Sequence, residues 1–368
     1  MKIFQANTKI FAGIDTEKVL ENISCKKYIF MTDPMMVKIG ISKKIEEILE
    51  KKGIEYEVFS EIELNPSLNS IRKALERVIE FSPEKIIALG GGSTLDSAKA
   101  VSYFMEKSGK EIPVIAIPTT CGTGSEVTSY AVITDTDNNV KIPIKDDKMI
   151  PEIAILDPEF TKTLPKSVVA DGGIDALTHA IEAYTSKGAD LYTQIYSLYA
   201  IKTIFKNLLK MYENISDREA RVEMGKASCI AGFSFEKAGL GINHSIAHNI
   251  GGKFHKAHGR SNGVVLPYII RFNSTDEETA KRYYEIAKEL ELPANSVEEG
   301  AKSLAIAVEI LKEKLGIQSC VKELGIDEVE YKKLIPEMAE VAMQDICTSG
   351  NMKKVTVEDM KKIFESVY

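Results

Sequence analysis

The chain has 368 residues, of which 44% are hydrophobic and 27% are charged, and its formal net charge is -7. That length exceeds what one hydrophobic core usually serves, so we expect two domains. The negative charge disfavours nucleic-acid binding, because a phosphate backbone attracts basic surfaces. No run of about eighteen apolar residues indicates a membrane span, and the first residues lack the apolar segment of a signal peptide. The five cysteines are widely spaced, which is typical of reduced thiols and predicts a cytoplasmic protein.

Up to about residue 160, short apolar runs alternate with segments that carry apolar residues at helical spacing. The apolar runs predict β-strands at residues 26–33, 56–62, 84–90, 113–118 and 152–158. Strands that alternate with helices indicate a mostly parallel sheet with helices on its faces.

After about residue 165 the strand-like runs end, and only helical periodicity remains, for example in DALTHAIEAY and AKSLAIAVEILKEKLG. Two prolines in LDPEFTKTLPKS mark the change. We therefore predict an α/β N-terminal domain at residues 1–165 and an all-α C-terminal domain at residues 166–368.

Two glycine-containing turns follow predicted strands of the first domain. In KIIALGGGSTLDSAKA (85–100) three consecutive glycines lead into a helix, whose first N–H groups and dipole would suit a pyrophosphate. A tight strand-to-helix turn explains that motif alone equally well, because the fingerprint GxGxxG is absent. In IPTTCGTGSEVTS (117–129) several hydroxyl side chains stand beside glycines, which suits hydrogen bonds to phosphate and ribose oxygens.

Asp33 ends the predicted strand KYIFMTD. A carboxylate at this position can bind the ribose hydroxyls of adenosine and would repel a 2′-phosphate, which favours NAD over NADP. The alternative is an aspartate that caps a helix or a turn.

Four of the five histidines lie in the segment HSIAHNIGGKFHKAHG (244–259). The first two stand four residues apart, as do Asp175 and His179 on another predicted helix, so each pair shares one helix face. An aspartate and three neutral imidazoles suit Fe²⁺ or Zn²⁺, with one position left open for a substrate. Spacing alone does not decide which histidines of the segment bind; the competitors are His244, His248, His255 and His258.

The strings GGGSTLDSAKA, IPTTCGTGSEVTS, GGIDALTHAIEAY and GLGINHSIAHNIGGKFHKAHGRSNGVVLP resemble those of the iron-containing (group III) alcohol dehydrogenases, and the likeness runs almost end to end. The resemblance implies four metal ligands: Asp175, His179, His244 and His258. It also implies catalytic roles near the nicotinamide for His248 and Asp96, with His255 outside the ligand set. The residues that it places against the dinucleotide are Asp33, Gly91, Gly92, Ser93, Asp96, Thr119, Thr120, Thr123, Thr128 and Lys141.

Within this family the chain resembles the propanol and 1,3-propanediol dehydrogenases. The resemblance implies NAD in the first domain, a metal in the second (Fe²⁺, or alternatively Zn²⁺), and hydride transfer between NAD(H) and a short-chain primary alcohol or aldehyde. Tyr130 and Phe235, at two implied cleft positions, are bulky and favour a short substrate.

Three other functions compete with this one. A 4-hydroxybutyrate or 1,3-propanediol dehydrogenase is the near alternative, a lyase like dehydroquinate synthase is the remote one, and a metal-binding or assembly protein without turnover is the third. We expect small alcohols or aldehydes as partners, and neither nucleic acid nor membrane. We also expect a homodimer or a larger homo-oligomer in the cytoplasm or in a bacterial microcompartment.

Overall fold

Parallel strands form the frame of the N-terminal unit of the chain, Met1–Thr163. In this computed structural model the described residues are 7–135 and 140–368, and the side chains at positions 135, 140 and 141 lie outside the description. The strands are β1 (Lys9–Ala12), β2 (Lys27–Thr32), β3 (Glu55–Phe59), β4 (Lys85–Gly90), β5 (Val114–Pro118), β6 (Tyr130–Asp135), β7 (Val140–Lys145) and β8 (Ile153–Leu156).

Six of these strands pair in the order β1-β8-β5-β4-β2-β3, and each neighbouring pair is parallel. The other two, β6 and β7, form a separate antiparallel hairpin. Neither this hairpin nor β1 is among the predicted strands. β1 has four residues and no buried side chain, so it carries little of the apolar signal that marks the inner strands.

The helices of this unit are α1 (Thr16–Leu20), α2 (Pro34–Lys38), α3 (Lys43–Lys51), α4 (Leu68–Phe81) and α5 (Gly92–Lys107). Alternate side chains of the inner strands enter two different cores. Ile29 and Ile86 pack with side chains of α4 and α5, whereas Phe30 and Ile87 pack with side chains of α1 and α3. Burial on both faces explains why these strands are almost continuously apolar in sequence.

The C-terminal unit, Leu164–Tyr368, is helical in its described residues. Its helices are α6 (Lys166–Thr185), α7 (Leu191–Glu213), α8 (Arg218–Ala238), α9 (Ile242–Phe254), α10 (His258–Asn273), α11 (Glu277–Glu289), α12 (Val297–Lys314), α13 (Glu328–Gln344) and α14 (Val357–Ser366). Short 3-10 turns complete it at Lys322–Leu324 and Ile346–Gly350. None of the helices in the described ranges is long and apolar enough to cross a membrane.

Helix α6 lies at the centre of this unit, and each of its residues from Gly173 to Thr185 is buried. It packs against α7, α8 and α10. A helix that is buried on all sides must satisfy its polar side chains within the protein. The acidic and imidazole groups of α6 therefore need buried partners. The predicted fold class, an α/β N-terminal part with a mostly parallel sheet and an all-α C-terminal part, is confirmed.

Candidate functional site

Four side chains of the C-terminal unit converge: Asp175, His179, His244 and His258. One ligand atom of each lies within 4.8 Å of those of the other three. The first three residues are buried, whereas the side chain of His258 is 41% exposed. We call this group the Asp/His cluster. The structure thus brings His244 and His258 of the segment together with Asp175 and His179, and His255 lies outside the cluster.

A short connection between α9 and α10 brings His244 and His258 together. Helix α9 ends at His255, which adopts a left-handed conformation with φ of 52°, and α10 begins at His258. Such a residue reverses the chain direction at the end of a helix. His255 is therefore an exposed helix-terminating residue.

Gly259 allows the start of α10 to lie directly against α6. A Cβ atom at this position would fall 2.0 Å from the carbonyl oxygen of Asp171 and 3.1 Å from Cβ of Asp175. No larger residue fits without moving one of the two helices. This contact was not predicted from the sequence, where the glycine after the last histidine carries no periodic signal.

Glu182 lies on α6, about two turns after Asp175, and it fixes the start of α9. Its carboxylate accepts a hydrogen bond from Asn243 N at 2.7 Å, and its other oxygen lies 2.5 Å from Nδ1 of His244. Burial raises the pKa of Glu182 above its ordinary value, and burial together with the neighbouring histidines lowers the pKa of His244 well below its ordinary value. The ring of His244 is therefore neutral near pH 7, as a metal ligand must be.

Asn262 occupies the middle of the Asp/His cluster. Its Nδ2 lies 2.7 Å from Oδ1 of Asp175 and 3.1 Å from Nε2 of both His244 and His258, while its Oδ1 accepts from Asn243 at 2.9 Å. Three acceptor atoms thus point at one amide nitrogen, which has two hydrogens to give. The cluster offers more lone pairs directed at one point than a neutral hydrogen-bond donor can satisfy. Lone pairs arranged in this way are typical of a cation site.

Aromatic rings pack around the histidines of the Asp/His cluster. His179 is stacked between Phe235, at 4.5 Å between ring centroids, and His244, at 4.6 Å. Phe235 therefore contributes an apolar wall to the cluster. Tyr130, the other residue predicted to favour short substrates, lies in β6 of the N-terminal unit under the ammonium group of Lys145.

His248 lies beside the Asp/His cluster and bonds outside it. Its Nδ1 is 2.8 Å from Oδ2 of Asp345, and its ring stacks on that of His258. Burial acts to raise the pKa of Asp345, but the hydrogen bond and charge of His248 outweigh it, so the net pKa lies below the ordinary value. Cys347 lies within 4.8 Å of both, and burial raises the pKa of its thiol well above normal.

In the N-terminal unit the turn of Gly90–Gly92, which we call the glycine turn, packs against residues 117–129, which we call the polar turn. Thr119 N donates to Gly90 O at 2.9 Å, and a Cβ on Gly92 would lie 2.8 Å from Cγ2 of Thr123. Helix α5 starts at Gly92 without a side-chain cap. Its first backbone N–H groups are therefore not bound by a capping side chain, which is the feature that anions use at helix N-termini.

The predicted dinucleotide contacts lie around these two turns. Asp33 caps α2 through Oδ1, which accepts from Met35 N at 2.8 Å, and its Oδ2 lies 3.5 Å from Thr94 Oγ1. Ser93 donates its hydroxyl to the carbonyl oxygen of Leu64. Thr119 and Thr128 are buried, whereas Thr120 and Thr123 are partly exposed. Lys141 lies in β7, and its side chain falls outside the described part of the structure.

Asp96 is engaged within its own unit. Oδ1 accepts the hydroxyl of Ser125 at 2.6 Å, and Oδ2 accepts Val132 N at 3.0 Å. Its predicted catalytic role stays a prediction, and the geometry adds a second function for it, which is to hold the polar turn.

Two family models match the chain: "Iron-containing alcohol dehydrogenase" over residues 7–158, and "Fe-containing alcohol dehydrogenase family, C-terminal" over residues 169–368. An aldehyde-alcohol dehydrogenase of Streptococcus pneumoniae is 40% identical over 93% of this chain and 43% of that protein, so the chain spans less than half of this relative. The NADPH-dependent butanol dehydrogenase of Clostridium saccharobutylicum is 38% identical over 100% of this chain and 98% of that protein. The 1-propanol dehydrogenase PduQ of Citrobacter freundii is 34% identical over 100% of both.

Solved structures agree with these relatives. A 1,3-propanediol oxidoreductase superposes with a TM-score of 0.92 at 29% identity and covers 100% of both chains. A sulfoacetaldehyde reductase from Bifidobacterium kashiwanohense, in complex with NAD+, gives a TM-score of 0.89 at 25% identity over 100% of this chain and 98% of that one. The chain therefore belongs to the iron-containing alcohol dehydrogenase family, as its motifs predicted.

Proposed function

We propose that this chain is a metal-dependent alcohol dehydrogenase that transfers hydride between NAD(H) and short-chain primary alcohols or aldehydes. The observation that carries the proposal is the Asp/His cluster, in which a carboxylate and three imidazoles converge within 4.8 Å. Family membership supports the reaction type. The two dehydrogenase models disfavour the lyase alternative, and the complete Asp/His cluster disfavours the non-catalytic one.

The donor set suits a divalent transition metal, with Fe²⁺ proposed and Zn²⁺ as the alternative. We propose Asp175, His179, His244 and His258 as its ligands. A bound cation of this kind polarises an alcohol or carbonyl oxygen as a Lewis acid. The chain contributes orientation, because Glu182 holds the ring of His244, and it contributes an apolar wall, because Phe235 covers one face of His179.

We propose that His248 moves a proton between the reacting oxygen and solvent. Its side chain is 41% exposed, and Asp345 holds Nδ1 at 2.8 Å, which leaves Nε2 for the proton. An aspartate behind an imidazole fixes the orientation of the ring and stabilises its protonated form. His248 is therefore accessible to solvent, while Asp345 fixes the orientation of its ring.

We propose that the N-terminal unit binds the dinucleotide at the glycine turn and the polar turn, through Gly91, Gly92, Ser93, Thr119, Thr120, Thr123, Thr128 and Lys141. Asp33 would bind the adenosine ribose through Oδ2, since Oδ1 caps α2. One relative is named for NADPH, but a carboxylate at position 33 favours NAD(H) here because it would repel a 2′-phosphate. The proposed boundary between the two functional domains is residue 165.

We propose short linear substrates of about two to four carbons. The bulky Phe235 lies against the cluster, and an apolar wall discriminates homologues by only about 1–3 kcal/mol per methylene. Propionaldehyde and butyraldehyde should therefore differ in kcat/KM by no more than about 10- to 200-fold. We also propose that the chain forms a homo-oligomer in the cytoplasm or in a bacterial microcompartment.

The deciding experiment is an anaerobic panel of aldehydes with NADH and Fe²⁺-loaded protein, from acetaldehyde through butyraldehyde to succinate semialdehyde. We expect fast oxidation of NADH with the short aldehydes. A higher kcat/KM for succinate semialdehyde would favour a 4-hydroxybutyrate dehydrogenase instead. No NADH oxidation with any aldehyde by metal-loaded protein would refute the proposal.

A further inference from the structure

Lys99 is a charged residue that the sequence motifs and the family comparisons leave without a role. It lies on α5, and its side chain has 0% exposure. Burying an ammonium group is strongly unfavourable unless partners compensate for the lost hydration. The partners of Lys99 therefore indicate what the residue does.

Those partners belong to the polar turn and to Asp96. The ammonium group donates to Ser125 O at 3.0 Å, to Ser125 Oγ at 2.8 Å and to Thr128 Oγ1 at 3.3 Å. It also forms an ion pair with Asp96 at 3.4 Å. Asp96 in turn accepts from Ser125 Oγ and from Val132 N, so the pair holds the end of the polar turn and the start of β6.

The beginning of the polar turn is fixed differently. Thr119 N bonds to the carbonyl oxygen of Gly90, and Thr123 packs against Gly92. The turn is thus attached to the glycine turn by its backbone at one end and to Lys99 at the other. Without the ammonium group, this end of the turn would lose its hydrogen bonds from Lys99 to Ser125 and Thr128 and would keep the bond from Ser125 to Asp96.

We propose that Lys99 is a positioning residue for the dinucleotide: it holds the polar turn in the conformation that presents its threonines beside the glycine turn. This inference rests on the proposed function. Asp96 neutralises Lys99, so the pair brings no net charge to the site and acts through the geometry of the turn. Lys99→Met leaves the charge of Asp96 uncompensated, and high salt screens the resulting repulsion, so a loss of affinity that persists at high salt reports the geometry of the turn.

The test compares Lys99→Met with Lys107→Met, which makes the same change two turns further along α5 at a side chain that is 55% exposed. Hydrogen exchange of residues 119–129, measured without cofactor, reports the turn itself. NADH fluorescence titration at two salt concentrations reports binding. For Lys99→Met we expect faster exchange and a Kd for NADH raised by about 10- to 100-fold, the size of loss seen when orienting partners are removed. Lys107→Met should match the wild type in hydrogen exchange and in NADH affinity. The metal content of the two variants should be unchanged.

Wild-type exchange or wild-type NADH affinity in a folded Lys99→Met protein would overturn the inference. If that variant does not fold, Ser125→Ala decides, because it removes one acceptor of Lys99, together with the bond from the same hydroxyl to Asp96, and keeps the Ser125 carbonyl. It should raise the Kd by at least about 2- to 10-fold, the value of one hydrogen bond, and an unchanged Kd would again overturn the inference. If the wild type itself fails to bind NADH, the proposed function falls, and the exchange data alone decide whether Lys99 holds the turn.

Discussion

Glu182 lies 2.5 Å from Nδ1 of His244 in a buried hydrogen bond that joins α6 to α9. The same carboxylate receives the backbone N–H of Asn243, so one side chain fixes both the start of α9 and the rotation of the His244 ring. As a result, Nε2 of that ring faces the other members of the Asp/His cluster. The ring orientation of His244, a proposed ligand, is thus set by Glu182, which is not itself a proposed ligand.

Replacing Glu182 by Gln should weaken metal binding by about 10- to 100-fold, because an amide cannot accept from both His244 and Asn243. Equilibrium dialysis of the metal-free protein against Fe²⁺ or Zn²⁺ measures the change. Glu285→Gln is the control: Glu285 accepts from Tyr184 on the same unit and should not affect the metal. Wild-type affinity in Glu182→Gln would show that the hydrogen bond does not prepare His244 as a ligand.

Replacing His258 by Ala should lower metal affinity by orders of magnitude, because one of four protein ligands is lost. His255→Ala should retain its metal, since His255 only terminates α9. The metal content of both purified variants, measured after dialysis, separates the two histidines. Full occupancy and normal turnover in His258→Ala would remove this residue from the ligand set.

Asp33→Asn should erode the preference for NADH over NADPH. The asparagine keeps the cap of α2 and loses only the charge, so cofactor choice changes without the cost of an uncapped helix. A charge-assisted hydrogen bond and the repulsion of a 2′-phosphate together amount to about 2–4 kcal/mol, or roughly 30- to 1000-fold. The measurement is kcat/KM for the two cofactors in both proteins. Equal use of NADH and NADPH by the wild type would refute the role of Asp33.

Gly259→Ala should destabilise the C-terminal unit by about 1–3 kcal/mol and weaken metal binding, because the new methyl group would overlap the carbonyl oxygen of Asp171. Gly252→Ala is the matched control. It lies in α9 with nothing within 4 Å of an added Cβ, so it should stabilise the helix by about 0.5–1 kcal/mol. Urea unfolding gives both values. Equal effects of the two substitutions would mean that α6 and α10 tolerate separation at this point.

Lys312→Met should change stability in a pH-dependent way. Burial lowers the pKa of Lys312 to about 8 from its ordinary 10.5, although Glu309 and other acidic groups act in the opposite direction. Below about pH 8 both the folded and the unfolded chain carry the proton, so the folded state bears the full penalty of a buried charge. Between about pH 8 and 10.5 the folded chain has lost a proton that the unfolded chain keeps, so stability rises with pH in this window.

Lys312→Met removes that penalty. The free energy of unfolding of the variant minus that of the wild type should therefore be more positive at pH 7 than at pH 10. Its lost hydrogen bonds to Val264 O and Ser319 O lower both values equally. Urea titrations of both proteins at the two pH values measure the difference. A difference that does not vary with pH would contradict a lowered pKa.

Periodicity in the sequence was sufficient for the fold class and for pairing Asp175 with His179. It did not reveal β1 or the β6–β7 hairpin. The run YAVITD, which is rich in aromatic and β-branched residues, is a signal that could have identified the first strand of the hairpin. Strand β1 offers no such signal, since it has four residues and no buried side chain.

The environment of the Asp/His cluster was less accessible to sequence reasoning. Spacing could not separate His255 from His258, because the choice depends on a left-handed residue that ends α9. Glu182, Asn262 and Gly259 act through contacts between helices distant in sequence. Only a tertiary structure reveals such contacts, whatever the local pattern suggests.

The uneven burial of the Asp/His cluster has a kinetic consequence. Three of its members are buried and His258 is 41% exposed, so an ion bound there would exchange with solvent past that ring. Residence time of the ion should then depend on how often the first turn of α10 frays. A chelator that cannot enter the protein would remove the ion no faster than that turn opens, whatever the chelator concentration.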